Sequence, residues 1–554
     1  MIRSIKRLQL RRRGMACSKT RRKHAENELL QKLQTSGVVK SLVFVAFFFG
    51  VAGLIHLSRG AGTFRGEDTI AASTIAGLIV VAALLQFFAN HPHSFGHNGR
   101  TLLVFGAMLL QLSLIPLARF LLAQLELLGS ADVSLSFFIL AMPYALAPMA
   151  LSVLLGRRQA FFALGFTTLL GCLTVQRSIV FDYLLISLLT GLAAVYTTHE
   201  LRKRSRLMRA GLYVGLTTLV LALALGHLHL PFGRADASWK LLAAQAFTAL
   251  ASGILTASLV GGFLPVLESA FRLTTNISWI ELTDLNHPLL KRLTIEAPGT
   301  YHHSLVVANL AAAAAERIGA NATLCRACSY FHDIGKLVKP GYFIENAVNA
   351  YNPHDELTPN MSALVIISHI KEGVDLALKY KLNSQIIDVI QEHHGTTLVY
   401  YFYHRALEQQ AELRARASSG EKEKPEDDVP NVKEEGFRYS GPIPQGRESA
   451  IIMLADAVES VSRSLKKVTP GKVQQVIDEL ANARIRDKQL DDSDLTLTEI
   501  KSIKESFFST LSSMMHNRIE YPKDGADDKV ARTTKRLLME KRGATTRIRV
   551  IDAA

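Results

Sequence analysis

Residues 38–58 read VVKSLVFVAFFFGVAGLIHLS. Beyond Lys40, His56 and two serines the stretch is apolar all round, with no polar face that would lie against water. A helix rises about 1.5 Å per residue, so a run of this length spans the roughly 30 Å hydrocarbon core of a bilayer. Working outward, comparable runs recur at 69–89, 101–123, 134–155, 159–175, 178–197, 210–230 and 241–267, which predicts a transmembrane bundle of about eight helices over 38–268. The fifth run is short, and only Gln176 and Arg177 separate it from the sixth, so seven or six crossings are the alternatives. Of 554 residues 49% are apolar and 20% charged, an ordinary balance. Placement is what distinguishes the chain, since nearly all long apolar runs precede residue 270.

Charge orients the bundle. Lys and Arg number 63 against 48 acids, for a net +15, and twelve of the bases fall in the first 40 residues. The arm 1–37 carries Arg11, Arg12, Arg13, Arg21, Arg22 and Lys23. The loop after the fourth run carries Arg157 and Arg158, and the loop after the sixth carries Arg202, Lys203, Arg204, Arg206 and Arg209. With eight crossings all three lie on one side, which the positive-inside rule makes cytoplasmic. The alternate loops 59–68 and 231–240 mix acid and base, and 124–132 has acids only. An even count returns the chain to the cytoplasm near 270, giving a multi-pass protein of the inner (plasma) membrane. The arm is too long for a signal n-region, so the first run is expected to be retained. Cys17 follows no apolar stretch, which argues against a lipoprotein signal. Four cysteines exclude a disulfide scaffold. Cys325 and Cys328 form a lone CxxC, read as helix packing. Asp182, inside the sixth run but near its end, reads as interfacial, with a functional role as the alternative.

The second half is soluble in pattern and all-α. After a connecting segment at 269–297, Pro298-Gly299 breaks the chain and Thr300 is placed to cap a helix to about Ile318, closed by Gly319. Further helices are expected at about 322–334, 360–372, 384–394, 447–465, 471–484 and 496–518, the second to fourth stopping at Gly335, Gly373 and Gly395. Residues 298–520 form this domain. Within it, 411–447 is rich in Glu, Lys, Asp, Pro and Ser and reads as a mobile charged insertion. The tail 521–554 is polar and basic.

His303, His332, His369, His393 and His394 fall on four separate expected helices, and Asp333 follows His332 directly. Asp456 interrupts the apolar run 450–458, where an unpaired carboxylate is costly. His303 shares a helix face with Val307, Leu310 and Ala314, so it points inward. His332/Asp333, His369 and His393/His394 all lie in the expected last turn before a glycine, where helix ends favour a cation. Imidazole with carboxylate suits Mn, Fe or Zn. A single such histidine is ordinary core, the reading given to His302, His354 and His404. Five histidines and two aspartates in this pattern point to metal binding.

His332-Asp333-Ile334-Gly335-Lys336 is an HDIG motif, and the domain resembles the HD phosphohydrolase superfamily. Residues 296–304 (EAPGTYHHS), 340–346 (PGYFIEN), 352–355 (NPHD) and 391–397 (QEHHGTT) narrow the resemblance to the membrane 7TM-HD family of cyclic di-AMP phosphodiesterases. The resemblance is strong over about 270–520 and architectural over the bundle. It implies a di-metal centre of Mn or Fe. His303, His332, Asp333 and Asp456 match the ligands of one metal, and Asp333 bridges to a second held by His369, His393 and His394. It also implies hydrolysis of cyclic di-AMP to linear pApA, with Asp333 and Lys336 in the catalytic set. Lys336 is a candidate phosphate contact, and Tyr342 and Phe343 are candidate stacking partners for adenine. Family members carry a large extracellular domain after the first span, whereas about ten residues stand here, which counts against extracellular ligand sensing.

Metal ligands do not read bases, so cyclic di-GMP or a short oligonucleotide stays open as substrate on the ligands alone. A nucleotide-binding receptor without turnover and a transporter or scaffold with a regulatory HD domain are the rivals from other classes. The expected partners are a cyclic dinucleotide and the lipid bilayer, with a homo-oligomer open and no role for DNA.

Overall fold

A computed structural model describes residues 32–59, 66–125, 131–199, 201–232, 238–347, 352–418, 431–464 and 469–516. Most of the arm and all of the tail 521–554 lie outside them. The chain divides into two units, Met1–Glu281 and Leu282–Ala554.

The first unit is helical: α1 Gly37–Arg59, α2 Gly66–Asn90, α3 Asn98–Leu125, α4 Ala131–Ala141, α5 Leu146–Leu154, α6 Arg157–Cys172, α7 Val180–Thr197, α8 Arg204–Ala224 and α9 Trp239–Phe271. α2 illustrates why these helices suit lipid. Ala72, Ala76, Val80, Ala83 and Phe87 are buried on one stripe, while Ile70, Leu78 and Leu85 are 65–70% exposed. The buried stripe is alanine-rich and large aliphatic residues face outward, the arrangement of a membrane bundle. Seven helical stretches among the described residues are long and apolar enough to cross a membrane. The expected fifth span is the exception: α6 has sixteen residues, or about 24 Å at 1.5 Å each. It nevertheless runs antiparallel along α7. The Arg157 guanidinium lies 5.7 Å from the Tyr196 ring at one end, and Thr168 and Ser187 hydroxyls bond at 2.9 Å towards the other.

Some polar groups inside the bundle are paired across helices. The fourth span breaks between α4 and α5, and Gln111 satisfies the freed backbone, donating to Tyr144 O and accepting from Ala147 N, both at 2.8 Å. Asp182 Oδ2 lies within hydrogen-bond distance, 2.8 Å, of His227 Nε2.

The second unit holds α10 Pro298–Arg317, α11 Ala322–Phe331, α12 Pro359–Lys379, α13 Ser384–Glu392, α14 Tyr400–Ser418, α15 Arg447–Ser464, α16 Pro470–Arg486 and α17 Leu497–His516. α10 is central, with Val307, Leu310, Ala311 and Ala314 fully buried against α11, α15 and α17. Among the described residues the sole β pairing is an isolated bridge, Leu398 to Arg438.

Three local expectations are corrected. Thr300 does not cap α10, which starts two residues earlier at Pro298. The Asn346 side chain takes over, accepting from Thr300 N at 3.1 Å. α12 runs through Gly373 to Lys379, so His369 sits mid-helix. Gly373 and Gly335 are needed for close approach instead: a Cβ on Gly335 would fall 1.8 Å from His369 O and 2.6 Å from Gly373 N. The insertion 411–447 is ordered at both flanks. α14 continues to Ser418, and Phe437 and Tyr439 are buried, with Val399 N to Phe437 O at 2.9 Å and Tyr439 N to Thr397 O at 3.0 Å. Two aromatics in an otherwise charged stretch supply that anchor. Residues 419–430 lie outside the description.

Candidate metal centre

Three helices and the turns that close two others bring the seven candidate ligands together. α10 contributes His303, the C-terminal end of α11 His332 and Asp333, α12 His369, the end of α13 His393 and His394, and α15 Asp456. Asp333 stands at the middle, nearly inaccessible, and its two oxygens face different histidines. Oδ2 lies 3.5 Å from His303 Nε2 and 3.3 Å from His332 Nε2, while Oδ1 lies 3.4 Å from His369 Nε2 and 3.6 Å from His393 Nε2. Asp456 Oδ1 is 3.1 Å from His303 Nε2, and its Oδ2 is 3.7 Å from His394 Nδ1. Two donor sets result, His303/His332/Asp333 and Asp333/His369/His393/His394, each with its ligand atoms within 4.8 Å of one another.

Backbone carbonyls aim the imidazoles. His332 Nδ1 donates to Ser329 O at 2.7 Å, His369 Nδ1 to Ile366 O at 2.6 Å and His393 Nδ1 to Ile390 O at 2.9 Å. Each bond places the proton on Nδ1 and leaves the Nε2 lone pair pointing at Asp333, the usual arrangement behind a ligating histidine. His303 Nδ1 donates to the Glu459 carboxylate, which Arg463 also holds at 3.0 Å.

These residues fit divalent cations. Buried polar atoms are ordinarily paired. Here His303 Nε2 and His332 Nε2 in the first donor set, and Asp333 Oδ1 facing the second, are buried without a hydrogen-bond partner. Electrostatics agree. Burial holds the His369 imidazole down at about 4 and the His394 imidazole well below its ordinary value, so both are neutral donors near pH 7. Burial pushes the Asp333 carboxyl up, but the Lys336 ammonium and the surrounding imidazoles outweigh it and keep Asp333 ionised. Asp456 is held low in the same way, burial being overcome by His303 and His332. Burial also disfavours a charged His303, yet Asp456 and Glu459 raise it to about 9. A proton there stands where a cation would.

The family model described as a 7TM receptor with intracellular HD hydrolase matches residues 69–275, and the HD domain model matches 300–460. The cyclic-di-AMP phosphodiesterase PgpH of Listeria monocytogenes serotype 1/2a (strain 10403S) is 37% identical over 452 residues, 81% of this chain and 58% of the relative. PgpH of Bacillus subtilis (strain 168) is 31% identical over 457 residues, 81% of this chain and 60% of the relative. Two successive segments of the chain thus match the two domains of the 7TM-HD architecture. The chain spans about three fifths of the length of these curated relatives. A solved HD domain of L. monocytogenes PgpH, in complex with cyclic-di-AMP, is 43% identical and covers 42% of this chain and 100% of its own, at a TM-score of 0.38. HD domains are metal-dependent, and the histidine–aspartate cluster of this chain could hold a metal ion.

The remaining candidates divide. Lys336 is sandwiched between two carboxylates, Asp333 at 2.8 Å and Glu345 at 2.7 Å. Phe343 offers no face to a base: it is 5% exposed, lies 5.0 Å under the Lys336 ammonium and meets the His369 ring edge-on. Tyr342 is half-exposed and packs edge-on against His354. His354 is buried away from the cluster, and His302 and His404 are exposed.

Three contacts escaped the sequence. Glu459 supports His303; its signal was its place three residues after Asp456 on the same apolar helix. Glu345 anchors Lys336 and bonds to the Thr300 hydroxyl at 3.2 Å. It stands in the 340–346 motif, which carried no reason to single it out. Tyr439 stacks on His394 at 4.4 Å and 20°. It stood in the stretch read as mobile, and nothing local marked it.

Proposed function

We propose that the chain is a membrane-anchored phosphodiesterase that hydrolyses cyclic di-AMP to linear pApA at a centre holding two divalent transition metals, Mn or Fe. The observation that carries this reading is the division of the Asp333 oxygens between two histidine sets, a bridging arrangement with more donors than one tetrahedral site uses. Cations bound there supply Lewis acidity to the phosphoryl oxygen and to the attacking water. The chain's residues do the positioning. Asp333 and Asp456 bring negative charge, the carbonyl-anchored imidazoles present neutral nitrogens, and Lys336 with Glu345 fixes Asp333. Lys336 is also a phosphate contact, and Tyr342 the stacking candidate that keeps an open ring. Adenine specificity rests on the names of the PgpH relatives and on the family motifs.

We further propose an inner-membrane location with the HD domain cytoplasmic. The basic loops support it, as does the antiparallel course of α6 beside α7, which makes the chain reverse once more than the seven long spans require. The test is purification of the full chain, elemental analysis, and chromatography of products from a panel of cyclic dinucleotides. Two metals per chain and pApA from cyclic di-AMP are expected. Protein folded and purified without chelator that holds no metal, or that prefers cyclic di-GMP, overturns the corresponding part.

A further inference from the structure

The end of the bundle where α2 stops and α6 begins holds a cavity of about 530 Å³ that the reading above leaves unused. Gln86, Asn90, His91 and Arg158 line its polar side, and Phe161 and Phe162 its apolar side. No carboxylate lines it, and Arg158 forms no ion pair with any described residue. His91 is 7% exposed, with its ring between Phe87 and Phe162, both at 5.4 Å, and its ring nitrogens bond to no described residue. This ring, facing a cavity beside an exposed guanidinium that no carboxylate neutralises, offers donors suited to an anion. The backbone adds to this. Gly156 precedes α6 without a side-chain cap, which leaves first-turn N–H groups free at the positive end of a 16-residue helix.

From this juxtaposition we infer that the cavity binds the phosphate of an anionic phospholipid headgroup. Its depth argues for a lipid over a free anion. It opens where the span Thr69–Asn90 ends, at headgroup level, and Phe161, 37% exposed on α6, gives it an apolar edge. Arg158 and His91 take the phosphate, Asn90 and Gln86 suit glycerol or headgroup hydroxyls, and Phe161 flanks the acyl chain. Gly165 lines the same cavity, and a Cβ placed there meets nothing within 4 Å. A larger residue at 165 therefore fills the space without removing a charge.

The experiment uses the full chain in phosphatidylcholine nanodiscs, with and without phosphatidylglycerol, read by native mass spectrometry for retained lipid. Wild type is expected to keep one phosphatidylglycerol that the doubly substituted Arg158→Ala/His91→Ala variant releases, with affinity lower by about tenfold or more, as for loss of a charge-assisted hydrogen bond. Gly165→Leu loses the lipid with every polar group in place. Matching melting profiles in pure phosphatidylcholine establish that the variants fold. Equal retention by all three proteins overturns the inference. So does inorganic phosphate that binds in phosphatidylcholine discs and displaces phosphatidylglycerol, since the site would then take a free anion.

Discussion

Replacing Glu459 by glutamine is expected to weaken one metal site and spare the other. Glu459 is 4% exposed and touches neither Asp333 nor Asp456. It acts through His303, whose Nδ1 donates to it while Nε2 faces both aspartates. An anionic acceptor on Nδ1 fixes the tautomer and raises the basicity of Nε2. Glutamine preserves size and an acceptor oxygen but removes the charge. Loss of such an outer partner costs about 10–100-fold in metal affinity, or about 1.4–2.7 kcal/mol. The second donor set is insulated, because His369 and His393 take their Nδ1 bonds from the carbonyls of Ile366 and Ile390. Metal-stripped full-length protein titrated with Mn²⁺ should give a biphasic isotherm in which only one phase moves. Turnover of cyclic di-AMP should fall at limiting Mn²⁺ and recover at saturation, which separates a positioning residue from one in the reaction. Equal weakening of both phases, or turnover that stays low at saturating metal with an unchanged circular dichroism spectrum, refutes the reasoning.

Asp333→Ala removes the carboxylate common to both sets, so both metals and turnover should be lost while helix content stays near wild type; near-normal turnover in confirmed metal-free protein would sink the bridging role. Lys336→Ala should cost less, about 10–150-fold in turnover, as for a charge-assisted contact of about 1.5–3 kcal/mol. Gly335→Ala should lower the melting temperature and release metal, because its Cβ would fall 1.8 Å from His369 O and α12 must move away. An unchanged melting curve would contradict that close approach. Asp388 is exposed, but partial desolvation of its carboxyl, with the Glu392 carboxylate nearby, pushes it up to about 6. The folded state then binds more protons than the unfolded chain, whose pKa is about 3.9, so this group costs stability as pH rises from about 4 through 6. Wild type and Asp388→Asn should melt alike below pH 4 and diverge above it, the variant being the more stable; solvent screening keeps the gap small.

What could be read from sequence, and what could not, follows the range of the forces involved. The spans at 38–58 and 69–89 were legible because burial in lipid acts on every residue of a helix, and composition alone carries the signal. The fifth stretch is the hard case: its helix ends in Cys172 after sixteen residues, too short to read as a full span, yet it still reverses the chain beside α7. The metal donors were legible because His332, Asp333 and Asp456 are costly in a core without a ligand, whatever the tertiary arrangement. Their supports were not: nothing within a few residues of Glu345 or Tyr439 distinguishes them, Glu459 carried only its nearness to Asp456, and each gains its place only when chain segments 45 to 156 residues apart meet. Gly373 makes the same point in reverse. A glycine after a histidine reads locally as a helix stop, yet here it serves a contact with Gly335 across the site. One backbone crossing thus ties the turn that carries Asp333 to the helix that carries His369, so the spacing of the bridging carboxylate from the second donor set is fixed by two missing side chains.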